Sequence, residues 1–302
     1  MNVFRDDRAS GSAGIGDAFL DELRVWCGVD SSRDTAALKS ALLTWLREAQ
    51  RARPSMALIH QFAARALDVV ETGAARGDAP AAIRRSLEAS CEAERLDLES
   101  STRAVARTAA ALVSESQPWL ATLSNSAAVL DALIEVQKAG REPRVMLAEG
   151  RPANEGRLMA TALAAHGIPV WLVVDAALPL LLSQARMVWI GADAVTERGV
   201  VNKVGSFAAA LAAREHSVAV YALASRRKFI PALTGALRIA EMPSEEVWET
   251  PPDGVKPRNV YFELVPLALL RGVVVEDAVL PAGEAAQLAR ERALPQELAA
   301  AP

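Results

Sequence analysis

The sequence predicts an α/β protein, with a helical N-terminal domain over residues 1–115 and a doubly wound, mostly parallel sheet over residues 116–302. Three observations carry this expectation. Between Gly16 and Val113 apolar residues recur at helical spacing, with almost no strand signal. After "SESQP", Ser114 to Pro118, the pattern changes to short apolar, β-branched runs separated by amphipathic helices. The composition is 51% hydrophobic but 5% aromatic, so much of the apolar content is Ala, Leu and Val, and the first half reads as packed helices.

In chain order, "DAFLDELRVW" and "TAALKSALLTWLREAQ" repeat apolar residues every three or four positions. Pro54 is suited to open the next helix, "PSMALIHQFAARALDVVETG", and Gly73 to stop it. The stretch from Ala79 to Val113 is a long helix rich in Ala and charge, with a kink expected at its centre. Beyond it, "WLATL", "RVMLAEG", "PVWLVVD", "MVWIGAD" and "VAVYALA" are strand candidates separated by helices, and "RNVYFELVP" and "RGVVVED" are two more. This alternation is the pattern of a Rossmann-like sheet.

Composition excludes several classes of function. A net charge of -4 with scattered Lys and Arg argues against nucleic acid held by bulk electrostatics. Cys27 and Cys91 stand far apart, with no CxxC and no His at ligand spacing, so neither a disulfide framework nor a metal site is expected. The first residues lack the apolar core of a signal peptide, and the longest apolar runs are broken by Asp175, Pro179 and Arg271. A cytoplasmic protein with no membrane partner is expected.

Doubly wound sheets bind ligands at the carboxyl ends of their strands. The residues there are Ser124-Asn125-Ser126, Glu149-Gly150-Arg151-Pro152, Asp175 and Asp193, with Asn202 and Lys203 expected to close the crevice. Ser124 and Ser126 suit helix N-caps, but hydroxyls at a helix start also suit phosphate. Asp175 reads as an N-cap, and Arg151 either pairs with Glu149 or grips a phosphate. Asp193 follows "VWIGA", a stretch with no polar side chain, and Gly191 before it allows a ligand close approach.

Together these motifs resemble a known family. "EGRPANEGRLMATALAAHGIPVWLVVDAA", "GADAVTERGVVNKVGS" and "RKFIP" are similar to the regulatory α/β/δ subunits of translation initiation factor 2B. Their superfamily also holds methylthioribose-1-phosphate isomerase and ribose-1,5-bisphosphate isomerase. The similarity is dense from Ser124 to Pro231 and looser at "ASGSAGIG", at "RARPSMA" and at "NVYFELVPLALLRGVVVEDAVLPAG". It implies a sugar-phosphate pocket between a helical and a Rossmann-like domain, no cofactor, and homodimers or higher homo-oligomers built through the C-terminal domain.

The resemblance also implies roles. Asp193 falls on the isomerases' catalytic acid, and Ser124 stands where they carry a cysteine. Ser126, Arg151, Glu155, Asn202, Lys203, Gly205 and Ser206 fall on the ligand-binding stretches, and Arg51 or Arg53 is expected to complete the anion site. The sequence departs from the pattern at Gly150, where the family has Thr or Ser, at Glu155, where isomerases often have Gln, and at Arg198, where Asn is common. Two readings stay open: an aldose-to-ketose sugar-phosphate isomerase in which Ser124 or a water replaces the thiol, placed first by relatedness, and a non-catalytic sugar-phosphate-binding regulatory protein. A nicotinamide enzyme is disfavoured because no GxGxxG follows any strand.

Overall fold

The computed structural model describes residues 4, 10–232 and 238–299. Ala9, which opens "ASGSAGIG", and most of the first nine residues lie outside them. Four helices come first: α1 Ser12–Val29, α2 Thr35–Ala52, α3 Ala57–Arg76 and α4 Pro80–Ala110. Asp34 caps α2 through a bond from the Ala37 N–H to its carboxylate, 2.8 Å. Pro80 sits at the start of α4, where its missing N–H costs nothing.

Two expected boundaries move. Pro54 does not open a helix; it lies in a turn closed by the Met56 N–H on the Arg53 carbonyl, 3.2 Å. Gly73 is inside α3, because a β-carbon there would stand 2.7 Å from Ile83 Cγ1: the residue is small so that α4 can approach. The helix ends at Arg76 instead, and Gly77 takes the left-handed conformation, φ 76°, that terminates it. The long helix α4 runs without interruption through the expected kink.

The main sheet has seven strands in the order β10-β9-β7-β4-β1-β2-β3: β1 Trp119–Leu123, β2 Arg144–Ala148, β3 Val170–Val173, β4 Met187–Ile190, β7 Ala219–Leu223, β9 Gly272–Val274 and β10 Val279–Leu280. All pairings are parallel except β9 with β10. Helices α5 Ala127–Lys138, α6 Glu155–Ala165, α7 Leu178–Leu181 and α8 Ser206–Glu215 connect the strands, and α9 Ala282–Glu291 and α10 Gln296–Ala299 end the chain. Strand β4 is buried along its whole length, with Trp189 fully enclosed. That is why it reads as an unbroken apolar run.

The segment between Asp193 and α8, in which the sequence marked no strand, is a hairpin of β5 Ala194–Thr196 and β6 Gly199–Lys203. "RNVYFELVP" does not extend the main sheet. Its strand, β8 Phe262–Val265, pairs antiparallel with β6 and completes a separate three-stranded sheet. The main chain winds outward one way through β1, β2 and β3 and the other way through β4, β7 and β9, so its reversal lies between β1 and β4.

Candidate functional site

At that reversal, β1 delivers Ser124 and β4 delivers Gly191-Ala192-Asp193. The β5–β6 hairpin folds back so that the Asp193 N–H donates to the Val201 carbonyl, 2.8 Å, which brings Asn202 and Lys203 beside Asp193. The Asp193 carbonyl accepts from the Ala57 N–H, the first of α3, at 2.9 Å. One hydrogen bond thus joins the helical layer to the site and satisfies an otherwise orphaned helix-start donor.

These groups line a cavity that opens to solvent. Asp193, Glu155, Arg53, Lys203 and Lys228 all reach its wall, and each is at least 93% buried. The Glu155 carboxylate meets Lys203 Nζ at 2.5 Å through Oε1 and accepts from Ser124 Oγ at 3.2 Å on the same oxygen. Lys203 Nζ also lies 4.1 Å above the centre of the Tyr261 ring. Lys228 Nζ donates to the Ala192 carbonyl at 2.6 Å and to Ser12 Oγ at 2.8 Å. Arg53 Nε donates to the Phe4 carbonyl at 2.8 Å.

Burial dominates the electrostatics. It pushes the Asp193 carboxyl up to about 6, against the opposing pull of Lys228 and then Lys203. It pushes the Lys228 ammonium down, against the pull of Asp193. Desolvation outweighs attraction in both. Helices α1 and α5 both start on the cavity wall, at Gly11–Ala13 and Ser126–Ala128. Neither has a side-chain cap or an acidic residue in its first turn, so no carboxylate of its own offsets the partial positive charge of either helix start.

Several expected site residues lie elsewhere. Arg51 is exposed on the last turn of α2 and does not line the cavity, whereas Arg53, at the C-cap and buried, does. Arg151 is exposed too, because its loop is turned by Asp175, whose carboxylate accepts from the Gly150 and Arg151 N–H groups at 2.9 and 2.8 Å. Asp175 is therefore a loop clamp and caps no helix. Glu149 pairs with Arg157 at 2.8 Å, not with Arg151.

Gly205 and Ser206 stand behind the wall. Ser206 Oγ accepts from Asn202 Nδ2, 2.8 Å, and donates to the Lys203 carbonyl, 2.6 Å, which fixes both residues from below. Ser126 heads α5 without capping it and faces the cavity. A β-carbon on Gly191 would stand 2.8 Å from Ser126 Oγ, so only glycine allows the ends of β1 and β4 to pack this closely. Ser124 holds a left-handed φ of 68°, a strained conformation for serine that aims Oγ at Glu155.

Sequence reasoning left out Lys228, Ser12 and Tyr261 as site residues. Lys228 had a signal, its place in "RKFIP", and Ser12 a looser one, its place in "ASGSAGIG", whereas Tyr261 reaches the cavity only through packing. Among the described residues no group of three or more His, Cys, Asp or Glu is arranged to hold a metal, and no helix is long and apolar enough to cross a membrane.

Comparison with known proteins identifies the family. The Initiation factor 2 subunit family pattern matches residues 8–282. A methylthioribose-1-phosphate isomerase from Gemmatimonas aurantiaca is 32% identical over 290 residues, 91% of this chain and 82% of that protein. A ribose 1,5-bisphosphate isomerase from Methanocaldococcus jannaschii is 34% identical over 165 residues, and there the match spans about half of each protein, 53% and 54%. The crystal structure of the Pyrococcus horikoshii OT3 translation initiation factor eIF-2B superposes with a TM-score of 0.78 at 25% identity, covering 92% of this chain and 94% of that one. With nearly the whole chain matched and the fold shared, the protein belongs to the initiation factor 2 subunit family, whose members similar to it include both sugar-phosphate isomerases and eIF-2B-like proteins.

Proposed function

We propose that the cavity binds a phosphorylated pentose or related sugar, and that Asp193 carries acid-base chemistry on it. The observation that supports this most directly is the wall itself: two uncapped helix starts with Arg53 and Lys228 offer an anion site, and Asp193 lies buried beside it. The named activities of the isomerase relatives fit such a ligand.

Converting an aldose 1-phosphate to a ketose phosphate needs a proton on the ring oxygen as the bond from C1 to that oxygen breaks. It then needs the C2 hydroxyl proton removed while the C2 hydrogen passes to C1, so that substrate and product are isomers. A single carboxyl that first gives and then takes a proton performs both steps and ends as it began. A group titrating near 6 does this well around neutral pH. Lys228, held 2.6 Å from the Ala192 carbonyl, stabilises the Asp193 carboxylate once its proton has left.

One observation favours a second reading, binding without turnover. Ser124 occupies the thiol position of the resembled isomerases, and its hydroxyl donates to the Glu155 carboxylate rather than offering an acidic proton of its own. Phosphorus and proton NMR of the protein with methylthioribose 1-phosphate and ribose 1,5-bisphosphate separates the two. Ketose phosphate formed by the parent and not by Asp193→Asn is the expected result; binding with no turnover establishes the second reading, and no binding of either compound sinks both.

Self-association belongs to the same proposal. Edge strand β3 and the segment after it leave Trp171, Leu172, Val174 and Leu180 exposed, Leu180 by 76%, an apolar strip suited to a second copy of the chain. Light scattering is expected to give a dimer or larger species for the parent and a smaller one for Leu180→Asp.

A further inference from the structure

Taking the sugar-phosphate reading as its ground, we infer that Glu246, partly exposed and outside the cavity wall, is a positioning residue of the site. It holds the Tyr261 hydroxyl, and the Tyr261 ring in turn holds the Lys203 ammonium against Glu155.

A lysine ammonium ends a flexible stem, so one contact does not fix where it stands. Here Glu155 Oε1 holds it at 2.5 Å, and the face of Tyr261 lies on it with the ring centre 4.1 Å away, the Phe262 ring standing farther off at 5.5 Å. Lys203 is 5% exposed, so water competes little with the attraction between ammonium and ring. Tyr261 is itself a buried wall residue. Its backbone is tied to β6 directly after Lys203, where the Val204 N–H donates to the Tyr261 carbonyl at 2.8 Å. That bond places the root of the side chain. The tilt of the ring is set at its far end, by the hydroxyl.

The hydroxyl donates to Glu246 Oε2 at 2.5 Å. The same oxygen accepts from Asn259 Nδ2 at 2.9 Å, and Asn259 Nδ2 also donates to the Pro243 carbonyl at 2.7 Å. Glu246 ends a short 3-10 turn, Ser244–Glu246, in the irregular segment that leads into β8. That segment is stitched to the residues just before β8: the Met242 N–H donates to the Asn259 carbonyl at 2.9 Å, and Glu241 forms an isolated bridge with Val260. An ionised acceptor makes the bond to the phenol stronger than a neutral one would. Val247 and Trp248, which follow, are exposed, so the turn faces solvent while its carboxylate reaches inward to the ring. Glu246 therefore acts through Tyr261, and what it sets is the place of the Lys203 charge on the cavity wall.

The test has two arms, the first without ligand. The chain has five lysines, so in carbon-13 NMR of the lysine-labelled full chain the Lys203 ε-methylene signal is assigned by its loss in Lys203→Gln. A ring face shields what lies over it, and this signal is expected upfield of those of the exposed Lys138 and Lys256. It should move toward them in Tyr261→Leu and in Glu246→Ala, and stay in Glu246→Gln, which keeps an acceptor for the phenol. The second arm is isothermal titration of methylthioribose 1-phosphate and ribose 1,5-bisphosphate. Affinity is expected to fall about fivefold in Glu246→Ala and in Tyr261→Phe and no further in the double variant, a coupling that a merely structural loss would not produce. In a Lys203→Gln background the effect of Glu246→Ala should shrink to within about 1.5-fold. A parent Lys203 signal that coincides with those of the exposed lysines, or one unmoved by Tyr261→Leu, overturns the inference. So does affinity unchanged by Glu246→Ala, or a loss that persists undiminished in the Lys203→Gln background. Each of these leaves the sugar-phosphate reading standing. If neither compound binds, that reading falls and the ligand-free signal alone decides the positioning. Thermal unfolding checks each variant, and the parent's signal decides if none folds.

Discussion

The core of the helical layer and the wall of the cavity are almost equally shielded from water, yet they are built from opposite materials. In the first, Phe19 packs against Phe4, Trp45 and Phe62 with ring centres 5.2 to 6.0 Å apart, and α1, α2 and α3 close around them with leucines. In the second, three cations and two carboxylates surround open space. Their titratable groups differ in the same way. His60, buried in the helical layer, is satisfied by Gln50 at 2.9 Å and the Pro54 carbonyl at 3.3 Å, and burial takes it down to about 4, so it is neutral at physiological pH. Asp193 is pushed to about 6 by desolvation, against the pull of Lys228 and Lys203. His60 closes its polarity within the core, whereas Asp193 carries its carboxyl on the wall of a cavity.

Substitutions in each region should separate stability from binding. The largest effect on folding is expected from Phe19→Ala, a loss of about 3–5 kcal/mol in denaturant unfolding, with sugar-phosphate affinity unchanged wherever the variant is folded. A comparable loss of affinity would break the contrast. Lys228→Met is its counterpart: it relieves a buried charge, so stability should hold or rise, while titration of the sugar phosphate is expected to lose about a hundredfold, roughly 3 kcal/mol.

The pH dependence sharpens the same contrast. Asp193 titrates near 3.8 when unfolded and near 6 when folded, so between those values the folded protein holds a proton that the unfolded chain has released. Its contribution to stability is therefore present below pH 4 and declines through pH 6, by about 2–3 kcal/mol, and this decline should vanish from the unfolding profile of Asp193→Asn. Turnover, which begins with Asp193 giving up its proton, should likewise fall as pH rises through 6. A smaller effect is expected at Gly191→Ala, whose new methyl group presses on Ser126 Oγ: about 1–2 kcal/mol of stability and a several-fold weaker affinity. Least of all, Arg51→Ala and Arg151→Ala should leave affinity within about twofold, since both side chains lie on the exposed surface.

Much of this was legible from the residues, and its limits have physical causes. Helical periodicity marked α2 nearly to its ends and the middle of α1, because amphipathic spacing is a local property. The end of α3 was misplaced because Gly73 is small for the sake of Ile83, a contact made by another helix. The strand "RNVYFELVP" was visible, but its sheet was not, since a short apolar run does not say which neighbour it pairs with. Arg53 and Arg51 read alike in "RARPSMA", and only the turn at Pro54 sends one inward and leaves the other in water.

By itself, the sequence determined the four leading helices, the parallel character of the main sheet and the positions of Ser124 and Asp193 just after strands, because these follow from periodicity and from where apolar runs stop. Tertiary structure alone decided that Glu155 neutralises Lys203, that Lys228 stands by Asp193, and that Arg151 turns away. The reason is that a charge in a cavity takes its partner and its proton affinity from residues far off in the chain. Those distances exist only once α3, the β5–β6 hairpin and the ends of β1 and β4 have closed on one another.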